Sequence, residues 1–329
     1  MGEYLLKEVQ TVVTQLIDVR MALRQGTIYQ SVPEKILTIM DNVAYKSRRT
    51  HVIVPDDESQ IMTLLETINQ RLNQDDKKAT VTDLELDQLL QHIVSPNTKI
   101  RDKGIFNLFN RLLRKYVLTA EQVVWVKDRL ISDDYLFAHI LEPENDGIFL
   151  RSFSVMFLAG ILYANRTHYH VLTEAELVAI ELRVMAYAII ELDSRGYVAD
   201  KGWAHALTHI INVWSELNET QELQRADKLL MMAVLIQAYR FSDNALAYGE
   251  DSHLANVLMV LLKKNQLYTD YFLAVLQDWQ KSLLNIVPED SIAFWNRWYN
   301  RNRFLQSLML QPELPTEIDD YLRKISDLF

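Results

Sequence analysis

The chain has 329 residues, 49% hydrophobic and 24% charged, with a formal net charge of -10 and no cysteine. That length and apolar share allow a large buried core, while the missing cysteines exclude disulfides, thiolate nucleophiles, iron–sulfur clusters and cysteine-based zinc sites. The negative balance repels nucleic acid and anionic membranes as a whole and leaves only local basic patches for such contacts.

Glycine and proline number only 8 and 7, so the turn chemistry that many short strands require is scarce and an all-α fold is expected. The N-terminal MGEYLLKEVQ has an early acidic residue and no basic-then-apolar leader, and Leu6 stands where a myristoylation motif needs Ser or Thr. A cytoplasmic location is expected. Leu5, Val9, Val12, Val13, Leu16 and Ile17 recur at helical spacing over the first twenty or so residues. Pro33 after Ser31 fits the start of a second helix, and Ile61, Leu64, Leu65, Ile68 and Leu72 mark a third. This third stretch dissolves into NQDDKKATVTD, the most linker-like run of the chain, which puts a soft boundary near Lys78: an N-terminal helical region over 1–78, packed on a main helical domain over 79–329.

From Thr82 onward, helices are predicted over residues 83–94, 98–116, 120–131, 147–164, 174–191, 201–217, 221–240, 252–264, 270–284, 289–310 and 316–327. Thr119 with Gln122, and Thr173 with Glu176, carry the capping-box spacing that starts a helix. HVIV at 51–54 is the one short run that reads as strand. The longest uninterrupted apolar run, Val155 to Ala164, is shorter than the roughly 18 residues of a membrane span, so no membrane contact is expected. Short connections between helices imply antiparallel hairpins, built into an irregular bundle or a right-handed superhelix of the HEAT or armadillo kind; no strict sequence repeat decides between them.

One stretch, KGWAHALTHIINVW from Lys201, raises a chemical question. As a helix it aligns His205, Thr208, His209, Asn212 and Glu216 on one stripe, with Trp203 among the residues covering the remainder. A solvated stripe favours Lys, Glu and Gln, whereas His, Thr, His and Asn suit the lining of a polar cleft. Histidines at i and i+4 can share a metal ion, but Ala206 and Leu207 follow the first, so the general base of the helical zinc motif is missing. Glu191, Asp193, Glu250 or Asp251 would have to supply the third ligand of a divalent metal. The plain alternative is a polar seam in which both rings hydrogen-bond their neighbours.

The turn before it, from Glu191 to Tyr197, has its own plain reading: Gly196 as the left-handed residue ending a helix and Asp193 with Arg195 as a local ion pair. The functional alternative turns these charges toward the histidine stripe. Arg151 opens an apolar segment; its head is expected to snorkel to water in preference to forming a buried pair with Glu191, Asp193 or Glu250. Glu250 and Asp251 read as helix-capping acids before Ser252. FWNRWYNRNRFLQSL interleaves aromatics with Arg297, Arg301 and Arg303, a mixture that can stack bases, yet the same residues fit the ion-paired face of a packed helix, and nucleic acid is not the expected partner. There is no G-x-S-x-G elbow, phosphate loop, dinucleotide fingerprint or EF-hand loop.

RDKGIFNLFNRLL from Arg101, FLRSFSVMFLAGILYANR from Phe149, ELDSRGYVADKGWAHALTH from Glu191 and YGEDSHLANVLM from Tyr248 resemble the signature blocks of an uncharacterised bacterial family, domain of unknown function 2785. The resemblance runs from about Thr82 to Leu310 and implies a helical, often HEAT-like protein with no established activity. It matches Arg151, Asp193, Arg195, Gly196, Tyr197, Lys201, Gly202, Trp203, His205, His209, Glu250 and Asp251 to motif positions. Where the family pattern tends to Asp, this chain has Asn212, which would weaken a metal site.

Two functions remain. The first is a helical scaffold that binds a protein, peptide or small molecule, without a cofactor, in a cleft around His205 and His209. The second is a hydrolase-like or lyase-like enzyme using both histidines as metal ligands or as acid and base. Helical arrays without a phosphate loop or a complete ligand set usually bind, and the scaffold is the reading chosen here.

Overall fold

With so few helix breakers and so much apolar helical spacing, the economical arrangement is helix packed on helix, and the computed structural model of the protein has that form over the residues it describes, 2–74, 79–283 and 289–325. In chain order the helices are α1 (Gly2–Arg24), α2 (Val32–Asp41), α3 (Glu58–Gln74), α4 (Asp83–Gln91), α5 (Thr98–Ile100), α6 (Asn107–Arg114), α7 (Ala120–Leu130), α8 (Asp133–Leu136), α9 (Gly147–Ala164) and α10 (Glu174–Ile190). A two-stranded ribbon follows, β1 (Tyr197–Val198) and β2 (Gly202–Trp203). Then come α11 (Ala206–Glu219), α12 (Arg225–Arg240), α13 (Glu250–Leu262), α14 (Gln266–Leu283), α15 (Ile292–Met309) and α16 (Thr316–Ile325). A 3-10 turn at His92–Val94 and π-helical turns at Arg101–Phe106 and Asn165–Tyr169 extend their neighbours.

Both expected capping boxes form: Thr119 and Thr173 each accept the backbone N–H three residues on, and Gln122 and Glu176 return the bond to the cap backbone. Thr82 and Glu85 make a third. From α9 onward, alternate helices lie side by side, α9 on α11, α11 on α13 and α13 on α15, while α10 packs on α12 and α14 on α16. Helix α9 is the hub. With its π-helical extension it is long and apolar enough to cross a membrane, at a hydropathy of 1.7, so the short run counted within it understated its length. Other helices bury 78% of that window, which makes it core.

The N-terminal helices share this core. α1 packs on α10 and α12, and α2 on α12, with Val9, Leu16, Ile36 and Ile39 buried in the same cluster as Ile189 and Leu235. Arg20 and Arg24 both hydrogen-bond the buried Asp227 of α12. The expected boundary near Lys78 falls outside the described residues.

Three local expectations fail. HVIV at 51–54 is not a strand but irregular chain. The helix predicted over 201–217 begins only at Ala206, because residues before it form the ribbon, with Tyr197 opposite Trp203 and Val198 opposite Gly202. Gly196 caps no helix: α10 has already ended at Ile190, with Glu191 in extended conformation. Gly196 is needed for close approach instead, since a Cβ there would lie 2.2 Å from the Tyr248 ring.

Candidate functional site

The ribbon is fixed from below. Arg101, fully buried in the first π-helical turn, donates to the carbonyls of Lys201 at 2.7 Å and Ser95 at 2.8 Å, and its guanidinium lies 4.2 and 4.8 Å from the Phe149 and Phe153 ring centres. Burial lowers its pKa and the Asp102 carboxylate only partly restores it. Gly202 has φ +82° and room for no side chain, a Cβ there meeting Thr98 Cγ2 at 2.4 Å. Asp200 turns the chain at φ 63°, and Lys201 reaches Asp146, at the start of α9, at 2.7 Å. These constraints explain why a stretch with helical spacing is not helical: a glycine at positive φ and a distant arginine override the local pattern.

The ribbon, the start of α11 and the loop before α13 together present a patch of rings. Tyr197, Trp203 and Tyr248 are 52%, 40% and 51% exposed, and Trp203 packs edge-on to both tyrosines with centres 5.0 and 5.1 Å apart. The Trp203 ring covers His205 at 4.3 Å. Asn300 of α15 holds the Tyr248 loop by accepting from Leu246 N at 2.8 Å and donating to the Asn244 carbonyl at 2.9 Å.

His205 caps α11 with φ 50°, a left-handed conformation that non-glycine residues adopt at some cost. Its Nε2 is buried and meets no hydrogen-bond partner among the described residues. His209 sits one turn on and deeper: its Nδ1 donates to the Ser152 carbonyl at 2.9 Å, leaving Nε2 without the proton, and burial drives its pKa down to about 3. Burial also lowers His205 and His253. Asn212 accepts from His253 Nε2 at 2.8 Å, while Thr208, Asn212 and Glu216 stay partly open and His209 is covered.

The charged residues from the neighbouring blocks lie in other networks. Arg151, 1% exposed, does not snorkel; it forms a two-pronged pair with Glu191 at 2.6 and 3.1 Å and donates to the Ala138 carbonyl at 2.8 Å. The Arg151 head is buried together with Glu191 and Asn145, which answer it in place of water. Burial works against the Arg151 charge, but Glu191 outweighs it and holds the guanidinium above its ordinary value. Glu191 also accepts from Asp193 N at 3.0 Å, and Asp193 pairs with Arg195 at 2.6 Å, as the local-pair reading expected. Arg195 then reaches Glu144 at 3.0 Å and the Asn145 carbonyl at 3.2 Å. Glu250 accepts from Tyr248 N at 2.8 Å and Asp251 from Ser307 Oγ at 2.6 Å, so the first braces the start of α13 and the second ties it to α15.

Each carboxylate named as a third metal ligand is thus engaged away from the histidines. Among the described residues no group of three or more His, Asp or Glu is placed to hold a metal ion. The arginines of α15 follow the packed-helix reading: Arg297 pairs with Asp243, Arg301 reaches Gln280 and Arg303 donates to the Leu246 carbonyl.

Of the residues the sequence singled out, Tyr197, Trp203, His205 and His209 lie against one another, whereas Tyr248, His253, Arg101 and Asn145, which also bear on this region, were not among them. Tyr248 and His253 flank the capping acids Glu250 and Asp251, and neither carries a local pattern that separates it from a helix start. Arg101 gave a weaker signal, a basic residue in an apolar-periodic segment, because the carbonyl it serves is 100 residues away.

The fold and this site define an all-α protein carrying a surface patch of aromatic and histidine rings on a short braced ribbon. The family described as "Protein of unknown function (DUF2785)" matches residues 136–310, more than half of the chain, and the chain belongs to it. The block from Arg101 lies outside that match. No curated protein matches the chain. No solved structure matches it either.

Proposed function

We propose that the protein is a cytoplasmic helical scaffold, HEAT-like in its stacking, whose recognition surface is the patch formed by Tyr197, Trp203, Tyr248 and His205. The observation that carries this is a run of three exposed aromatic rings, Trp203 packed edge-on to both tyrosines, beside a histidine whose buried Nε2 has no partner among the described residues. Aromatic side chains supply large contact area with little conformational freedom to lose, which is why they dominate binding hot spots. Glycine at 196 and 202 and the Arg101 clamp hold these rings in place before any partner arrives, which lowers the entropic cost of association. The partner is a protein or peptide segment that stacks on Trp203 and the tyrosines flanking it. The metal-dependent and acid–base alternatives receive less support: the carboxylates named as further metal ligands serve other partners, and a buried His209 held far below neutrality is poorly matched to trading protons near pH 7.

Quantitative affinity capture separates these readings. The wild-type chain, a Trp203→Ala, Tyr248→Ala double variant and an exposed control on another face, Ile53→Ala, are compared, and any partner found is rebuilt from purified components. A partner retained by wild type and control and lost by the double variant supports the patch. Equal retention by all three refutes it.

A further inference from the structure

A second place in the molecule combines space with unmet chemistry. Between α2, α12 and α14 lies a cleft of about 550 Å³ that shares no residue with the aromatic patch. Gln237 and Tyr271 line it, both almost completely buried, and neither Gln237 Oε1 nor the Tyr271 hydroxyl has a hydrogen-bond partner among the described residues. Folded proteins seldom leave two buried polar atoms unsatisfied in one place. The cleft therefore suits a ligand that brings hydrogen-bonding groups of its own.

Its charges narrow the chemistry. Arg240 lies over the Phe241 and Trp279 rings and donates to Ser282 Oγ at 2.6 Å, while its contact with the Asp278 carboxylate is long at 3.4 Å and Asp278 is largely exposed. Burial holds the Arg240 pKa below its ordinary value despite Asp278. Lys281 adds a second cation to the lining, and Glu34 and Asp278 add acids. A pocket with both signs of charge, an unfilled acceptor and an unfilled hydroxyl matches a small molecule that is itself a zwitterion. The volume falls within the roughly 300–1,000 Å³ of small-molecule sites.

We propose that this cleft binds a small amino-acid-type metabolite, its carboxylate facing Arg240 and Lys281 and its ammonium N–H meeting Gln237 Oε1, with the Tyr271 hydroxyl bonding the same ligand. No covalent step is involved. The site lies partly outside the family match, since α2 supplies one wall, so the N-terminal region gains a task beyond packing.

The test is calorimetric titration of the full chain with each common L-amino acid, followed by the N-acetyl and carboxamide forms of any that bind. At least one amino acid binds saturably, and blocking either end weakens it by about tenfold or more. Tyr271→Phe and Arg240→Met weaken it to a similar degree. Tyr271→Phe removes a hydroxyl with no partner among the described residues, so this variant keeps the fold even if Arg240→Met does not. The proposal is overturned if no amino acid binds saturably, if the blocked forms bind as well as the free one, or if Tyr271→Phe leaves binding unchanged.

Discussion

Two neighbouring regions of this molecule carry the family's signature residues and use them oppositely. Around Arg151 and Glu191 every charge is answered, from a buried core out to a surface carboxylate: a two-pronged pair, carbonyl acceptors at Ala138 and Asn145, and Arg195 closing on Asp193 and the exposed Glu144. Around His205 and Trp203 the rings are half-exposed and a buried nitrogen is unanswered. A saturated network has nothing left to offer a ligand, and its work is to hold α9, α10 and the loop after it in one arrangement. An unsaturated, braced surface is where recognition is to be sought.

That contrast orders the expected effects of mutation. Glu191→Ala strands a buried guanidinium, and chemical denaturation should register a loss of about 3–5 kcal/mol. A loss under about 1 kcal/mol would mean that Arg151 finds water after all and the network is not the clamp described.

Next come two buried groups whose opposing titrations set the pH profile of stability. Burial and Asp227 push the Glu181 carboxyl up to about 8, against the pull of Arg20, Arg24 and Lys228. Its folded value exceeds the ordinary 4.5, so its contribution is complete below about pH 4.5 and is lost as pH rises through about 8. His209 runs the other way: held down at about 3, its contribution is present above about pH 6.5 and is lost as pH falls through about 3. Glu181→Gln should flatten the alkaline limb by an amount on the order of a few kcal/mol, measured by unfolding at a series of pH values. An unchanged alkaline limb would show that Glu181 is ionised and paired.

Smaller effects are expected at the ribbon. Gly202→Ala forces a side chain into a left-handed position against Thr98 and should cost about 1–3 kcal/mol. Since the ribbon carries Trp203, the same variant should also weaken partner capture; a variant of full stability and full capture would remove the bracing from the account. Smallest on stability are Trp203→Ala and His205→Ala, each about 1 kcal/mol or less, because the rings are partly solvated and His205 Nε2 makes no bond that truncation would break.

The same contrast explains what could be read before the structure. Capping at Thr119 and Thr173, and the extent of α9 from Gly147 to Ala164, depend on residues within four positions of each other, and the sequence pattern sufficed. Tyr197, Trp203, His205 and His209 could be grouped because they lie close together in the chain just before and within α11, whereas Tyr248 and His253 reach them from far along the chain. What failed was decided at long range. Arg151 was expected to snorkel, but Glu191, just after α10, and the Ala138 carbonyl, just after α8, take its donors in the interior. Lys201 to His205 were expected to be helical, but Arg101 and a left-handed Gly202 hold them in the ribbon. Gly196 was expected to end a helix, but Tyr248, 52 positions later, needs the space a side chain would fill. Tertiary contacts override local propensity where the chain meets itself from afar.

The central claim, that the patch recognises a partner and the Arg151 network holds the fold, is tested most directly by one paired measurement: melting temperature and partner retention of the Trp203→Ala, Tyr248→Ala double variant, measured on the same preparation. The account predicts a melting temperature within about 4 °C of wild type and complete loss of the retained partner. A large fall in melting temperature, or full retention at an unchanged one, would contradict it.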